Sequence, residues 1–199
     1  KEADLVIAVG TRLSEVTTQD YSLIEDGHLL IHLDINLDSI HKVYAPALGI
    51  LSDAKEALLK LCTMNVKQKW SSWARSCREV FTKVSQLPKE KDRILNEHVI
   101  STLQEVLPAN TVITNDAGNF ATWLHTYYSF NERDTYIGPT SGAMGYALPA
   151  ALGVKLATPN KRLVALAGDG GFMMTVQELE TAVRYHIPVI VLVFNNAMY

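Results

Sequence analysis

Short apolar runs alternate along this chain with segments in which apolar residues return every three or four positions, the signature of strands separated by helices. Residues 4–9, 28–34 and 48–51 read as strands, with helices expected over 37–43 and 53–61. Later, 111–114, 162–167 and 188–194 read as strands, and 175–186 reads as one helix. In that helix Val176, Leu179, Ala182 and Val183 share a face while Gln177, Glu178 and Arg184 fill the other. Continuous apolar strands joined by helices predict an α/β fold, a parallel doubly wound sheet with flanking helices on both faces. Between the two strand-rich parts, Trp70, Trp73, Cys77, Val80, Phe81 and Val84 recur at helical intervals until Pro88 breaks the pattern. This predicts an amphipathic linker helix packed on a domain. Three parts follow: 1–62, a linker over 63–92, and 93–199.

Two polar clusters stand directly after apolar runs, Gly168-Asp169-Gly170-Gly171 and Asn195-Asn196. If the preceding runs are parallel strands joined by the helix between them, both clusters emerge at one edge of one sheet. Neighbouring strands lie about 4.8 Å apart. The Asp169 carboxylate and the Asn196 carboxamide then converge on a point that suits one hard cation. Magnesium takes one or two protein side chains of this kind and completes its shell with phosphate oxygens and water. Gly168, Gly170 and Gly171 remove bulk where a backbone turns and approaches phosphate, and the N-terminus of the following helix favours an anion. Either cluster alone is also what an ordinary turn looks like.

Two further segments carry candidate chemistry. Residues 115–123 follow a strand and open a helix, so Asp116 and Asn119 are either site residues or a helix cap. Residues 141–151 place Met144 just before a helix start, with Pro149 at a first-turn position. Met144 is either a core methionine or a flexible thioether offered to aromatic rings.

Composition narrows the classes without choosing one. With 48% hydrophobic residues, 20% charged residues and a net charge of −3, nothing suggests a nucleic-acid or anionic-membrane surface. No stretch approaches the roughly 20 apolar residues of a membrane span. Cys62 and Cys77 lack metal-ligand spacing and read as free thiols of a reducing cytosol. The 6 histidines form no cluster, and His125 is the one nearest a candidate site turn.

Gly168-Asp169-Gly170, followed after a helix and a strand by Asn195-Asn196, resembles the thiamine-diphosphate motif of the superfamily of pyruvate oxidases, acetohydroxyacid synthases and 2-oxoacid decarboxylases. The resemblance implies that Asp169, Asn196 and the carbonyl of Met198 bind Mg2+. Residues 141–151 are similar to the segment preceding a helix in acetohydroxyacid synthases. Gly142, Ala143 and Met144 thereby inherit cofactor contacts: the Gly142 carbonyl to the aminopyrimidine amine, and Met144 as a wedge between the two cofactor rings. Gly118, Asn119 and Phe120 inherit contact with the diphosphate and the substrate cavity, although many acetohydroxyacid synthases carry Gln-His where this chain has Asn119-Phe120. Gly168, Gly170 and Gly171 complete the set.

The same resemblance makes 3–13, 31–35 and 52–55 part of a Rossmann-like central domain, which in some members carries FAD or ADP. Asp34 is the candidate for a ribose hydroxyl. The implied function is acetolactate synthase-like: decarboxylation of a 2-oxoacid such as pyruvate with carboligation, in a cytoplasmic homo-oligomer. A 2-oxoacid or oxalyl-coenzyme A decarboxylase and a pyruvate oxidase are further readings within the superfamily. A non-catalytic nucleotide-binding module is the reading outside it. Resemblance also implies that the chain is a piece of a longer enzyme. It holds no match to the N-terminal domain whose glutamate activates the cofactor, so no catalytic residue is expected within it and the isolated piece is expected to be inactive.

Overall fold

The computed structural model describes residues 2–90 and 93–196 of the 199-residue chain, which forms two compact units, Lys1–Ser71 and Ser72–Tyr199. In the first unit β1 (Leu5–Val9), β2 (Leu29–Asp34) and β3 (Leu48–Leu51) form a parallel sheet in the order β1-β2-β3. Ala8, Leu13 and Leu30 make its small core. Helix α1 (Ala54–Leu61) starts where predicted because the Asp53 carboxylate accepts the Lys55 and Glu56 amides at 2.8 and 3.3 Å, an N-cap.

The helix expected over 37–43 does not form. Only a 3-10 turn, Leu37–Ser39, appears there. The Asn36 side chain caps the Asp38 amide, Ile40 is already extended, and His41 has a φ of +68°. Asp34 is 8% exposed and accepts the Asn36 amide at 2.8 Å, so its carboxylate closes an Asx turn.

Helix α2 (Ser71–Val84) also departs from expectation. It covers about half of the predicted linker, and none of its residues is buried, so Trp73, Val80 and Phe81 form an apolar face in the open. Amphipathic spacing specifies a helix and its face; it does not supply what covers that face. Among the described residues no helix is long and apolar enough to cross a membrane.

The second unit positions the site. Helix α3 (Asn96–Val106) leads into β4 (Val112–Asn115), α4 (Ala121–Tyr127), β5 (Tyr136–Ile137), α5 (Ala147–Ala157), β6 (Leu163–Gly168), α6 (Asp169–Met174), α7 (Glu178–Arg184) and β7 (Ile190–Phe194). All strand pairs are parallel, in the order β5-β4-β6-β7. Side chains on β6 alternate between two cores. Val164 and Leu166 pack with Ile113, Ile100 and Leu124 on the α3/α4 face, whereas Leu163, Ala165 and Ala167 pack with Val112, Ala147 and Ala151 on the α5 face. A sheet covered on both faces explains why its strands read as unbroken apolar runs.

On the second face Ala147 and Ala151 of α5 meet Ala165 and Ala167 of β6, and these small side chains let α5 approach closely enough for the buried Thr114 hydroxyl to donate to the Ala147 carbonyl at 2.9 Å. Replacing that hydroxyl by a methyl in Thr114→Val is expected to cost about 1 kcal/mol. Amide exchange of β4 and β6, read as the free energy of global opening, checks it.

From β4 the chain steps to β5 on one side and then returns to β6 on the other. The direction of winding therefore reverses between β4 and β6. Open parallel sheets form a crevice outside the carboxyl ends of their strands at such a point.

Candidate cofactor and metal site

The register of β6 on β7 pairs Gly168 with Phe194, so Asp169 and Asn195 leave the sheet side by side, with Asn196 next. On the other flank of β6, Asn115 pairs with Leu166, and the turn beginning at Asp116 rises beside them. These strand ends surround an open cleft of about 700 Å³. Gly118, Asn119, Phe120, Gly142, Met144, Gly168, Asp169, Gly170, Gly171 and Asn196 all line it. Ala143 is exposed and is not among the lining residues, and Met198 lies outside the described residues.

Local structure differs from expectation around Asp169. The helix predicted over 175–186 forms as the shorter α7, and a further helix, α6, precedes it and begins at Asp169 itself. Gly170 and Gly171 therefore belong to a helix rather than to a turn. The break falls at Thr175, whose hydroxyl donates to the Gly145 carbonyl at 3.1 Å while its backbone leaves helical geometry. The Asp169 carboxylate accepts the Gly170 amide at 3.0 Å and stands in the first turn of α6, where the helix dipole favours negative charge.

The turn after β4 is not a capping turn. Helix α4 starts at Ala121 with no side-chain cap, and Asp116 instead accepts the amides of Gly145 and Tyr146, both at 3.1 Å. Met144 is 42% exposed and faces the cleft, which removes the core reading for it. Pro149 occupies the first turn of α5, where no amide is missed.

Five cleft residues were not among the expected contacts: Asn96 and Phe194, which no motif touched, and Ala117, Trp123 and Asn195, which lay within the segments singled out. Phe194 stacks on Phe120 with centroids 5.1 Å apart, giving the cleft an apolar wall. A strand-ending Phe carries no local signal for this, because its partner lies across two loops. His125 packs edge-on to Tyr136, with centroids 5.4 Å apart. Burial raises the Tyr136 pKa, and a hydrogen bond from Asn115 opposes that rise; burial also raises the Tyr128 pKa. Both phenols stay neutral across the physiological range.

A smaller cavity of about 380 Å³ opens at the amino ends of β6 and β7, lined in part by Lys155, Arg162 and Pro188, and gathers no acidic or carboxamide side chain. The cleft at the carboxyl ends is thus the place where oxygen donors meet. Among the described residues no cluster of three or more His, Cys, Asp or Glu forms, so a transition-metal cage is not built there. One carboxylate with neighbouring carboxamides suits a hard cation that shares its shell with phosphate.

Comparison with known proteins matches residues 1–61 to "Thiamine pyrophosphate enzyme, central domain" and residues 116–199 to "Thiamine pyrophosphate enzyme, C-terminal TPP binding domain". The chain belongs to the thiamine pyrophosphate enzyme family. Among its relatives, the acetolactate synthase large subunit of Buchnera aphidicola subsp. Acyrthosiphon pisum is 33% identical over 98% of this chain and 35% of the relative. The acetolactate synthase large subunit of Lactococcus lactis subsp. lactis is 32% identical over 98% of this chain and 34% of its own length. The isozyme 3 large subunit of Escherichia coli K12 is 31% identical over 98% and 35%. The chain thus spans about 35% of the length of the first of these relatives.

The cleft fits this family's cofactor on its own geometry. Oxygen donors at Asp169 and Asn196 suit the metal-diphosphate end, while Met144 and the Phe120–Phe194 stack offer apolar surface for rings.

Proposed function

We propose that residues 93–199 form one wall of the active site of a thiamine-diphosphate- and Mg2+-dependent enzyme of the acetolactate synthase type, with 1–62 contributing to its central domain and 63–92 linking the two. The observation that carries this reading is the convergence of Asp169 and Asn196 on one cleft from adjoining parallel strands. In this reading Asp169 and Asn196 hold Mg2+, and the Met198 carbonyl is the third protein ligand. Gly168, Gly170, Gly171, Gly118, Asn119 and Phe120 face the diphosphate, and Gly142 and Met144 face the aminopyrimidine, with Ala143 between them outside the cleft lining.

Bound thiamine diphosphate supplies the electron sink for decarboxylating a 2-oxoacid and joining the remainder to a second carbonyl. This chain's own residues bind and orient. The half-buried Asp169 carboxylate offsets the charge of the cation, and the apolar wall excludes water from one side of the cleft. Asp169 is the one carboxylate among the described residues that line the cleft, and metal binding occupies it. Proton transfer at the cofactor then calls for a group beyond the described residues of the cleft, which in this reading a homo-oligomer supplies. Pyruvate is the proposed substrate, on the strength of the relatives' names. The exposed free thiols Cys62 and Cys77 favour a reducing, cytoplasmic setting.

Titration calorimetry tests the reading on the chain itself. Heat from thiamine diphosphate that appears with Mg2+ and vanishes with a chelator supports it. Binding of adenine nucleotides in place of thiamine diphosphate would replace it with the nucleotide-module reading.

A further inference from the structure

The carboxylate of Asp116 is 1% exposed, yet no ion pair to it forms among the described residues. Its charge is met by backbone amides: Ala117 at 2.9 Å and Tyr146 at 3.1 Å on Oδ1, and Gly145 at 3.1 Å on Oδ2. Buried carboxylates are costly unless satisfied in this way, so the arrangement is specific. The backbone of Asp116 is held separately, its amide donating to the Leu166 carbonyl of β6 at 2.9 Å. One residue thus joins the central strand pair to the loop that carries Gly142 and Met144.

A third element closes on the same carboxylate. Gly171 of α6 lies so near that a Cβ there would overlap Asp116 Oδ2. From the far end of α6, the Thr175 hydroxyl takes the Gly145 carbonyl at 3.1 Å. The two peptides flanking the Gly145 Cα are therefore gripped from opposite sides, one by its N–H through Asp116 and the other by its C=O through Thr175. Gly145 has a φ of +81°, a conformation suited to glycine, which lets the chain turn between these two grips. Met144 immediately precedes the gripped N–H, so its main chain is fixed relative to Asp169 by this one junction.

We infer that Asp116 is a positioning residue that sets the ring-facing loop of the cleft, around Gly142 and Met144, against its metal-diphosphate end, acting through the Gly145 and Tyr146 amides. The inference rests on the cofactor reading above. A carboxylate is needed because both oxygens accept; an asparagine in its place keeps one acceptor and turns an N–H group toward a neighbouring N–H.

Two probes separate positioning from general structure. Thiamine diphosphate with Mg2+ uses both ends of the cleft, whereas Mg2+ pyrophosphate uses the diphosphate end alone. In Asp116→Asn, affinity for thiamine diphosphate is expected to fall by at least about tenfold while that for Mg2+ pyrophosphate stays within about twofold. Amide exchange without any ligand should quicken at Gly145 and Tyr146 and remain unchanged within β4 and β6. Equal losses for both probes, no loss for either, or unchanged exchange at the two amides would overturn the inference. Should Asp116→Asn fail to fold, Thr175→Val releases the other side of Gly145 and is expected to give the same split between probes. A wild-type chain that binds neither probe overturns the cofactor reading and this inference with it; a wild type that binds both, with a variant that loses them equally, overturns the inference alone.

Discussion

Asp169→Ala is expected to abolish Mg2+-dependent binding of thiamine diphosphate, lowering affinity by about 100-fold or more, which is roughly 3 kcal/mol. The size follows from charge. A divalent cation shared with a diphosphate is anchored to the protein by its anionic ligand, and Asp169 is the one anionic side chain among the described residues of the cleft, so the alanine variant loses the charge that holds the metal there. Stability should change little, because the carboxylate is only half-buried and stands in the first turn of α6. An effect on helix α6 below about 1 kcal/mol is the expected scale for losing an acidic residue from a first turn. Calorimetry with and without Mg2+, on a variant whose circular dichroism matches the parent, measures the binding loss. Asp169→Asn separates the two contributions: it keeps an oxygen donor in place and removes the charge, so its loss should fall between the parent and the alanine variant. Unchanged binding in the alanine variant would place the metal elsewhere.

How far the chain could be read in advance depended on whether the deciding contacts were local. The strand expected over 48–51 is found with those bounds, and those over 111–114 and 162–167 are displaced by one residue, to Val112–Asn115 and Leu163–Gly168. Strand β3 is largely exposed and was legible from its short apolar run alone, whereas the two runs of the second unit were legible because both faces of their sheet are covered, so β6 is apolar or small throughout. Their parallel pairing then brought Asp169 and Asn196 to one edge without further information. What the sequence concealed was set by contacts across the fold. Thr175 looked like a helical residue and became a break because Gly145, 30 positions earlier, presents a carbonyl to it. Asp116 looked like a cap and became a junction because the loop after β5 folds back over β4. Asn96 and Phe194 entered the cleft through the packing of α3 and β7, which no nearby residue announces. The face of α2 shows the reverse limit, since its period was correct and its burial was not.

Gly171→Ala is expected to be the most destabilising conservative change near the site, costing about 2–4 kcal/mol. Within an ordinary helix, glycine to alanine is stabilising by about 1 kcal/mol, since it reduces the freedom of the unfolded chain and alanine is the better helix former. Here the sign reverses. Gly171 is buried in the first turns of α6, and the added methyl would occupy the space of Asp116 Oδ2 and lie 3.4 Å from the Gly145 amide. A flexible surface side chain would swing aside at little cost, but Asp116 is 1% exposed and held by three amides, so displacing it breaks bonds to a buried charge. Moving α6 instead would drag Asp169 from its place at the end of β6 and disturb Thr175 at the other end of the helix. Either route disturbs both ends of the cleft, so thiamine diphosphate and Mg2+ pyrophosphate should weaken together, unlike the split expected for Asp116→Asn. The stability change is read from the slowest-exchanging amides of β4 and β6, which report opening of the unit that contains the site and are insensitive to the other unit. A variant as stable as the parent would mean that α6 and the β4 turn have more room between them than this packing allows, and the account of Gly171 as a forced glycine would fail.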